Sequence, residues 1–464
     1  MIRFLNVYFP FRTIFLGVTE ACLVALCFLV ATVARIGASD AAVMLSDEQG
    51  FISILVIAAV FITCMYYFDL YNPMVLNNLR DVLTRMIPMQ GTVCVLLACL
   101  YYLYPPLRMS RGIFLGGFVL VAMLLLVWRY LFFLLNALPQ FAERALILGN
   151  GPLAGPLLAE LQSHPELGIR VVGQLNAPNS EDNDLAWDSS EEQAEVLMNL
   201  VKVHHPNRII VAFGERRGKL PVEALLQLKS SGVRVQEGSE VYESVTGKVP
   251  LESLHLSWLL FSPGFRVSSP LLIYKRISSF ILSAIALLLS LPVMALIALA
   301  IRLDSAGPAI FRQKRVGGAG KIFTLYKFRT MVEDADQNGN HFPAGLTDKR
   351  FTRVGRLLRR THLDELPQFF NILRGDMHVV GPRPFVPDQE QECIEKIPYY
   401  RQRWVIKPGA TGWAQVNRGY NATIEDNKEK LSYDLFYIKN ISIGLDLLIL
   451  LQTVKILLLG RGGR

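Results

Sequence analysis

Long apolar runs constrain the fold of this chain more than any other feature. Four of them lie near the N-terminus, at about residues 13–34, 51–69, 88–104 and 112–135. A helix needs about 20 apolar residues to cross the hydrocarbon core of a bilayer, and each run approaches that length. The chain is also 52% hydrophobic, which is too apolar for a purely soluble protein of this size. Residues 1–140 are therefore predicted to form a four-helix transmembrane region.

The net charge restricts the class of partner. A formal charge of +8 suits anionic lipid headgroups, diphosphate substrates or nucleic acid. The arginine and lysine clusters adjoin long apolar segments, which is typical of proteins that work at a bilayer surface. Membrane lipid is therefore an expected partner, and nucleic acid is not. Arg129 lies near the end of the fourth run, where we expect it to snorkel to the interface, with a buried functional charge as the alternative.

Residues 141–265 have a soluble composition and predict a Rossmann-like, doubly wound α/β domain. Strand patterns at 145–148, 170–174, 208–213 and 233–236 surround a helical pattern at 153–162.

The turn after the first of these strands is a candidate nucleotide-binding turn. Gly149, Gly151 and Ala154 have the GxGxxA spacing of a phosphate-binding turn. The acidic residue that would hold a ribose is absent, because the second strand ends in the residues QLNA from Gln174. The glycines alone also satisfy turn geometry, so we expect a structural or regulatory role for this domain, with NAD binding as the alternative.

A fifth apolar run, at residues 277–301, is long enough to cross a bilayer. Pro292 lies near its midpoint and Ser290 just before it, and a proline kinks a helix by removing a hydrogen bond. The run is either a kinked transmembrane helix or a re-entrant helix over residues 275–302, each half of which is too short to span. Hydropathy allows both, and the segments downstream decide between them.

Two basic strings follow this run, FRQKRVG at 311–317 and YKFRTM at 326–331, and such strings suit phosphate binding. Further along, Asp364 and Glu365 precede Pro367, which places both carboxylates at the start of a helix. They either complement the helix dipole or supply an aspartate that stays ionised among arginines and attacks phosphorus.

The order of these strings closely resembles the catalytic domain of the monotopic phosphoglycosyl transferases, the bacterial sugar transferase family. The resemblance covers about residues 270–460 and is carried by the apolar hairpin followed by FRQKRVG, KFRTM, LDELPQ, NILRGDM, VGPRP, KPGATGWAQV and YDLFYIKNISIGLDLLIL. The preceding segments resemble the larger members, the undecaprenyl-phosphate glucose- or galactose-1-phosphate transferases of exopolysaccharide and O-antigen systems. The implied fold is a membrane α/β protein with four N-terminal transmembrane helices, a Rossmann-like domain and a monotopic α/β catalytic domain. That domain would cover residues 266–464 and contain the re-entrant helix and an interfacial helix at 441–459.

The resemblance implies a covalent reaction. Asp364 would attack the β-phosphate of UDP-glucose or UDP-galactose and release UMP, and undecaprenyl phosphate would then take the phosphosugar from the enzyme. Glu365 would position or activate the acceptor phosphate, Mg²⁺ beside Asp364 would neutralise the diphosphate, and Arg383 would bind substrate phosphate. The other matching substrate-binding residues are Lys327, Arg329, Arg360, Lys407 and Gln415.

The resemblance also predicts a multi-pass protein of the bacterial cytoplasmic membrane, with its catalytic domain in the cytoplasm and a homodimer formed through the N-terminal regions. His378 stands where the family often has a small hydroxyl residue, and we expect a structural role for it. One alternative is a membrane scaffold or nucleotide sensor that has lost catalysis. Another is an enzyme that transfers the sugar directly and releases UDP.

Overall fold

The computed structural model describes residues 2–4, 7–47, 49–72, 75, 79–137, 142–175, 190–213, 220–254, 264–265, 267–332, 350–418 and 423–459. The chain divides into two compact units. The first covers residues 1–2 and 8–241, and the second covers residues 3–7 and 242–464.

Apolar helices form the N-terminal part of the first unit. After two short strands, β1 (Ile2–Phe4) and β2 (Val7–Phe9), the helices are α1 (Phe11–Ile36), α2 (Ala38–Asp47), α3 (Gly50–Tyr67), α4 (Leu79–Leu103) and α5 (Arg111–Ala137). All except α2 are long and apolar enough to cross a membrane, so the predicted apolar runs near the N-terminus do form helices. The third of these long helices, α4, begins at Leu79, earlier than the predicted run at 88–104. Pro88 lies inside this helix and does not interrupt it.

Arg129 is buried in this helical region, and the prediction that it snorkels is wrong. Its side chain on α5 is 3% exposed, and its Nε lies 2.7 Å from Oε1 of Glu20 on α1. It also donates a hydrogen bond of 3.0 Å to the carbonyl of Leu70. The charges of Arg129 and Glu20 neutralise each other in the protein interior, because an unpaired buried charge would be energetically costly.

The rest of the first unit is the predicted doubly wound α/β domain. Its parallel strands are ordered β4 (Ile169–Leu175), β3 (Glu143–Leu148), β5 (Arg208–Val211) and β6 (Arg234–Glu237). The helices are α6 (Ala154–Ser163), α7 (Ser190–His204) and α8 (Val222–Ser230), and α9 (Gly238–Thr246) begins in the first unit and ends in the second. Leu146 and Leu148 pack with α7 and α8, whereas Ile147 packs with α6, so alternate residues of β3 enter two cores on opposite faces.

The glycine turn after β3 uses its backbone amides internally. Gly149 has φ +109° and donates to the carbonyl of Leu175 at 2.7 Å, and Gly151 donates to the carbonyl of Ala212 at 3.0 Å. A Cβ at Gly149 would lie 2.9 Å from the backbone nitrogen of Phe213, so only glycine fits there. This geometry favours the structural interpretation of the turn, because neither amide is left to bind a phosphate.

The second unit contains one long helix, α10 (Ser269–Asp304), and a mixed α/β region. The hairpin β7 (Ile310–Val316) and β8 (Ile322–Phe328) is antiparallel, whereas β9 (His378–Val380) and β10 (Gly409–Thr411) pair in parallel. The remaining helices are α11 (Arg353–Thr361), α12 (Gln368–Arg374), α13 (Pro387–Lys396), α14 (Trp413–Asn417), α15 (Ile424–Lys439) and α16 (Ile443–Leu459).

Helix α10 contacts the other helices of the second unit near both of its ends. Near its start, Arg276 donates to the carbonyls of Ile372 and Leu373 at the end of α12, at 2.7 and 2.8 Å. At its end, Asp304 accepts a hydrogen bond of 3.0 Å from the backbone nitrogen of Val354 in α11. Between these contacts, residues 284–293 include no buried side chain. The middle of the helix, which contains Pro292, therefore leaves most of its large apolar side chains exposed.

Ser290 makes the local hydrogen bond expected of a serine beside a helical proline, although not to the carbonyl that Pro292 frees. Its hydroxyl donates to the carbonyl of Leu287 at 3.2 Å. The helix is continuous over its 36 residues, so Pro292 does not end it.

Asp446 of α16 is buried, although the interfacial helix expected at residues 441–459 would place its charged residues at the membrane surface. Its carboxylate is buried and lies 2.8 Å from Nζ of Lys275, and it accepts a hydrogen bond of 2.6 Å from the hydroxyl of Tyr437. Lys275 is only 1% exposed, so it is not a headgroup-facing charge either. This buried cluster joins α10, α15 and α16.

Candidate active site

The adjacent carboxylates lie in a tight turn between two helices. Asp364 and Glu365 belong to a 3-10 turn, Leu363–Glu365, that follows α11. His362 ends α11 in the left-handed backbone conformation, with φ +57°, and Pro367 is the residue immediately before α12. The carboxylates thus precede the helix by a few residues and do not lie in its first turn.

Glu365 is held between two cations. Its Oε1 accepts hydrogen bonds from Nζ of Lys327 on β8 at 2.6 Å and from Nη2 of Arg383, after β9, at 3.1 Å. Burial disfavours the charged form, but Lys327 and Arg383 outweigh it and hold the pKa of Glu365 well below its ordinary value. Glu365 is therefore a fixed anion that orients both cations.

Asp364 has a different environment from its neighbour. It is 9% exposed, and within the described part of the chain its carboxylate makes no hydrogen bond or ion pair. Burial raises the pKa of Asp364, the Glu365 anion raises it further, and Lys327 and Arg359 oppose this effect. The two carboxylates therefore differ in role, because one is engaged by cations and the other is left untied.

Two arginines near this site were not among the predicted site residues. Arg315 of the FRQKRVG string donates to the carbonyl of Pro384 at 3.0 Å, and burial together with Arg383 lowers its pKa to about 10. Arg359 lies close enough to Asp364 to affect its ionisation. The surroundings of the two carboxylates thus carry an excess of positive charge, which suits a diphosphate. The signal was present in the basic strings, but spacing could not show which arginines face the site.

The remaining predicted residues make other contacts. Arg329 donates to the carbonyl and hydroxyl of Ser305, at 2.8 and 2.9 Å, and so joins β8 to the segment after α10. Lys407 donates to the carbonyl of Gly375 at 2.7 Å, and Gln415 donates to that of Ala410 at 3.2 Å. Arg360 is exposed on α11. The structure therefore brings Asp364, Glu365, Lys327 and Arg383 together and ties Arg329, Lys407 and Gln415 to main-chain carbonyls.

His378 is buried in β9 at 3% exposure. Burial and the nearby Lys275, Lys407 and Arg276 lower its pKa to about 3, so the imidazole stays neutral at physiological pH. A neutral, buried histidine agrees with the structural role expected of it.

The described residues contain no cluster of three or more His, Cys, Asp or Glu side chains that could hold a metal ion. Mg²⁺ is commonly bound through one or two carboxylates and completes its octahedron with water and substrate phosphate oxygens. The untied carboxylate of Asp364 fits this pattern. The residues therefore fit an Mg²⁺ ion that arrives with a diphosphate, and they do not form a cage for it.

Comparisons with known protein families match two separate parts of the chain. Residues 271–460 match the family described as bacterial sugar transferase, which agrees with the extent of the resemblance seen in the sequence. Residues 66–236 match a family described as CoA-binding domain.

Several curated relatives act on undecaprenyl phosphate. An Aeromonas hydrophila UDP-N-acetylgalactosamine-undecaprenyl-phosphate N-acetylgalactosaminephosphotransferase is 41% identical over 48% of this chain and 52% of its own length. An Escherichia coli UDP-glucose:undecaprenyl-phosphate glucose-1-phosphate transferase is 33% identical over 68% of each chain. A Salmonella typhimurium undecaprenyl-phosphate galactose phosphotransferase is 30% identical over 70% of each. The match thus spans about half of the first relative and somewhat more than two thirds of the other two.

Proposed function

Because this chain belongs to the bacterial sugar transferase family, we propose that it transfers a sugar-1-phosphate from a UDP-sugar to undecaprenyl phosphate. The observation that carries the proposal is the contrast within the carboxylate pair. Asp364 is buried and untied, whereas the adjacent Glu365 binds Lys327 and Arg383. A carboxylate nucleophile needs free oxygen atoms in a positive field, and Asp364 has both.

The proposed reaction has two displacements at one phosphorus atom. An oxygen of Asp364 attacks the β-phosphorus of the donor, the bond to the bridging oxygen breaks, and UMP leaves with that oxygen. A phosphate oxygen of undecaprenyl phosphate then attacks the same phosphorus, which frees the aspartate and forms an undecaprenyl diphosphate sugar. Lys327 and Arg383 stabilise charge on the transferred group, and Glu365 keeps both cations oriented and faces the acceptor phosphate. Mg²⁺, when bound beside Asp364, would neutralise diphosphate charge.

We further propose that α10 enters the membrane and returns to the same side. This is supported by the contacts of Arg276 and Asp304, because both ends of the helix bind one polar domain. If α10 crossed the bilayer, that domain would have to lie along it within the hydrocarbon. The site would then lie at the cytoplasmic headgroup level of the bacterial inner membrane, where a soluble donor meets an acceptor tethered to lipid.

Reporter fusions test this topology. A reporter that is active only in the cytoplasm is fused after Leu254, before α10, and in a second protein at the C-terminus. We expect activity from both fusions, because a re-entrant helix leaves both points on one side. Activity from only one of them would mean that α10 crosses the membrane.

The acid limb of the pH profile of kcat/KM is expected to reflect the pKa of Asp364. Only its carboxylate form can attack, and its pKa is raised by burial and by Glu365, so activity falls at a higher pH than an ordinary aspartate would cause. Glu365→Gln removes the neighbouring anion and leaves Lys327 and Arg383 unneutralised. The pKa of Asp364 then falls, and the acid limb of kcat/KM should move to lower pH.

The matched control is Glu392→Gln, at a carboxylate on α13 whose side chain is 49% exposed. This variant should keep the wild-type profile. An acid limb that does not move in Glu365→Gln, or that moves to higher pH, would contradict the assignment to Asp364.

The function itself is tested with purified protein in nanodiscs, undecaprenyl phosphate, Mg²⁺ and a panel of UDP-sugars. The panel includes N-acetylgalactosamine, glucose and galactose donors, because the relatives differ in the sugar that their names specify. Formation of UMP with one donor would support the proposal and identify the sugar. Formation of UDP would indicate direct sugar transfer, and no product with any donor would favour a scaffold.

The mass of the particle in the same nanodiscs tests the predicted homodimer.

A further inference from the structure

The turn that carries Arg383 has no secondary structure of its own. It reads GPRPF from Gly381 to Phe385, and its two prolines lack the N–H groups that a helix or sheet would need. Because the turn belongs to no helix or sheet, its carbonyl groups must accept hydrogen bonds from other parts of the chain. Buried carbonyls without a hydrogen bond would be energetically costly. What binds these carbonyls determines where Arg383 is held.

Four consecutive carbonyls of the turn each accept a hydrogen bond. Two of the donors are backbone amides, Gly409 to Pro382 at 2.9 Å and Val316 to Phe385 at 3.0 Å. The other two are arginine side chains, which occupy the middle of the turn. Nη2 of Arg403 donates to the carbonyl of Arg383 at 2.8 Å, and Nη1 of Arg315 donates to that of Pro384 at 3.0 Å.

Arg403 is itself tightly fixed. It is 5% exposed, and its Nε donates to Oδ2 of Asp434 at 3.0 Å. Its Nη1 donates to the hydroxyl of Tyr400 and lies 3.6 Å from Oε2 of Glu390. Its guanidinium carbon lies 4.6 Å from the centre of the Phe385 ring. One planar group thus contacts two carboxylates, a hydroxyl, an aromatic ring and the Arg383 carbonyl, an arrangement that a lysine cannot reproduce.

We propose that Arg403 is a positioning residue, which fixes the main chain of Arg383 so that the Arg383 guanidinium meets Glu365 and the donor diphosphate. The effect is indirect, because Arg403 binds the carbonyl of Arg383 and not its side chain. This inference rests on the proposed function. It also gives a role to Asp434, which holds the Arg403 guanidinium and has no contact with Asp364 or Glu365 among the described residues.

A double-mutant cycle distinguishes positioning from general structural support. Arg403→Lys should lower kcat/KM for the UDP-sugar by about 10- to 100-fold, because a displacement of about 1 Å in a positioning contact can cost that much. In an Arg383→Ala background, the same substitution should cost less than about 2-fold, since there is no longer a guanidinium to misplace. Losses that multiply in the double variant would overturn the proposal.

Two further variants make this cycle interpretable. Arg401→Lys changes an exposed arginine two positions away and should have no effect in either background. Asp434→Asn weakens the contact that holds the Arg403 guanidinium without removing the guanidinium. It takes the place of Arg403→Lys in the cycle if that variant does not fold. Its smaller loss should also disappear in the Arg383→Ala background, and a loss that persists there would overturn the proposal.

Hydrogen exchange gives a readout that does not depend on activity. Without substrate, Arg403→Lys should speed the exchange of amides in residues 381–386 and leave those of α12 unchanged. Faster exchange throughout the second unit would indicate a general structural role and overturn the inference. If the wild type used no UDP-sugar, the proposed function would fail while this experiment would still decide whether Arg403 fixes the turn.

Discussion

Asp364→Asn is expected to lower UMP formation by roughly 10³-fold or more, the scale of loss seen when a covalent nucleophile is removed. The amide has nearly the same shape as the carboxylate, but its oxygen is too weak a nucleophile to form the phosphosugar intermediate. Asp364 makes no hydrogen bond or ion pair among the described residues, so the substitution breaks no contact and removes a partly desolvated charge. The variant should therefore remain folded, and its thermal unfolding midpoint should not fall.

The mass of the intact protein tests the same step directly. Wild-type protein given a UDP-sugar without undecaprenyl phosphate should gain the mass of one phosphosugar, and the Asn variant should not. Asp388→Asn, at an exposed aspartate of α13, is the matched control and should behave as the wild type. Equal UMP formation by Asp364→Asn and wild type would remove Asp364 as the nucleophile.

Asp446→Asn is expected to destabilise the second unit by about 3–5 kcal/mol, because it leaves the ammonium group of Lys275 buried without an anion. Lys275 lies 2.8 Å from Asp446, and both also contact the hydroxyl of Tyr437. The cluster links the start of α10 to α15 and α16, so its loss should loosen the membrane helix from the catalytic domain. The measurement is the thermal unfolding midpoint in detergent, with UMP formation below that temperature.

The informative comparison is the double variant Lys275→Met and Asp446→Leu. It removes both charges and replaces them with apolar groups, which is often neutral or stabilising for a buried pair. We expect it to recover most of the stability lost in Asp446→Asn. A single variant as stable as the wild type would show that the Lys275 charge is relieved by water or by another partner.

The sequence identified the centre of the candidate site because its residues lie in short, contiguous strings. Asp364 and Glu365 are adjacent, Lys327 belongs to a basic string whose composition indicates phosphate binding, and Arg383 belongs to the VGPRP string that carries the family resemblance. Arg329, Lys407 and Gln415 belong to similar strings, yet the structure ties them to main-chain carbonyls. Composition shows that a string is basic, but it does not show which way each side chain points.

The roles of the other arginines depend on contacts that are distant in the chain. Arg403 is 20 residues from Arg383, whose carbonyl it binds. Arg315 is 69 residues from Pro384, whose carbonyl it binds. The periodicity of a helix or a strand cannot predict contacts between residues so far apart in the chain. The role proposed for Arg403 appears only when the carbonyls of the GPRPF turn are seen to accept hydrogen bonds from distant side chains.

The sequence by itself determined the apolar helices, the alternation of strands and helices in residues 141–265, and the position of the carboxylate pair. These features depend on hydrophobic period and on residues close in the chain, which act locally. Only the tertiary structure decided how the buried charges are neutralised, since Glu20 and Arg129 are 109 residues apart and Lys275 and Asp446 are 171 apart. A buried charge must be paired, but the chain can supply its partner from any distance, so only the folded structure shows which residue it is.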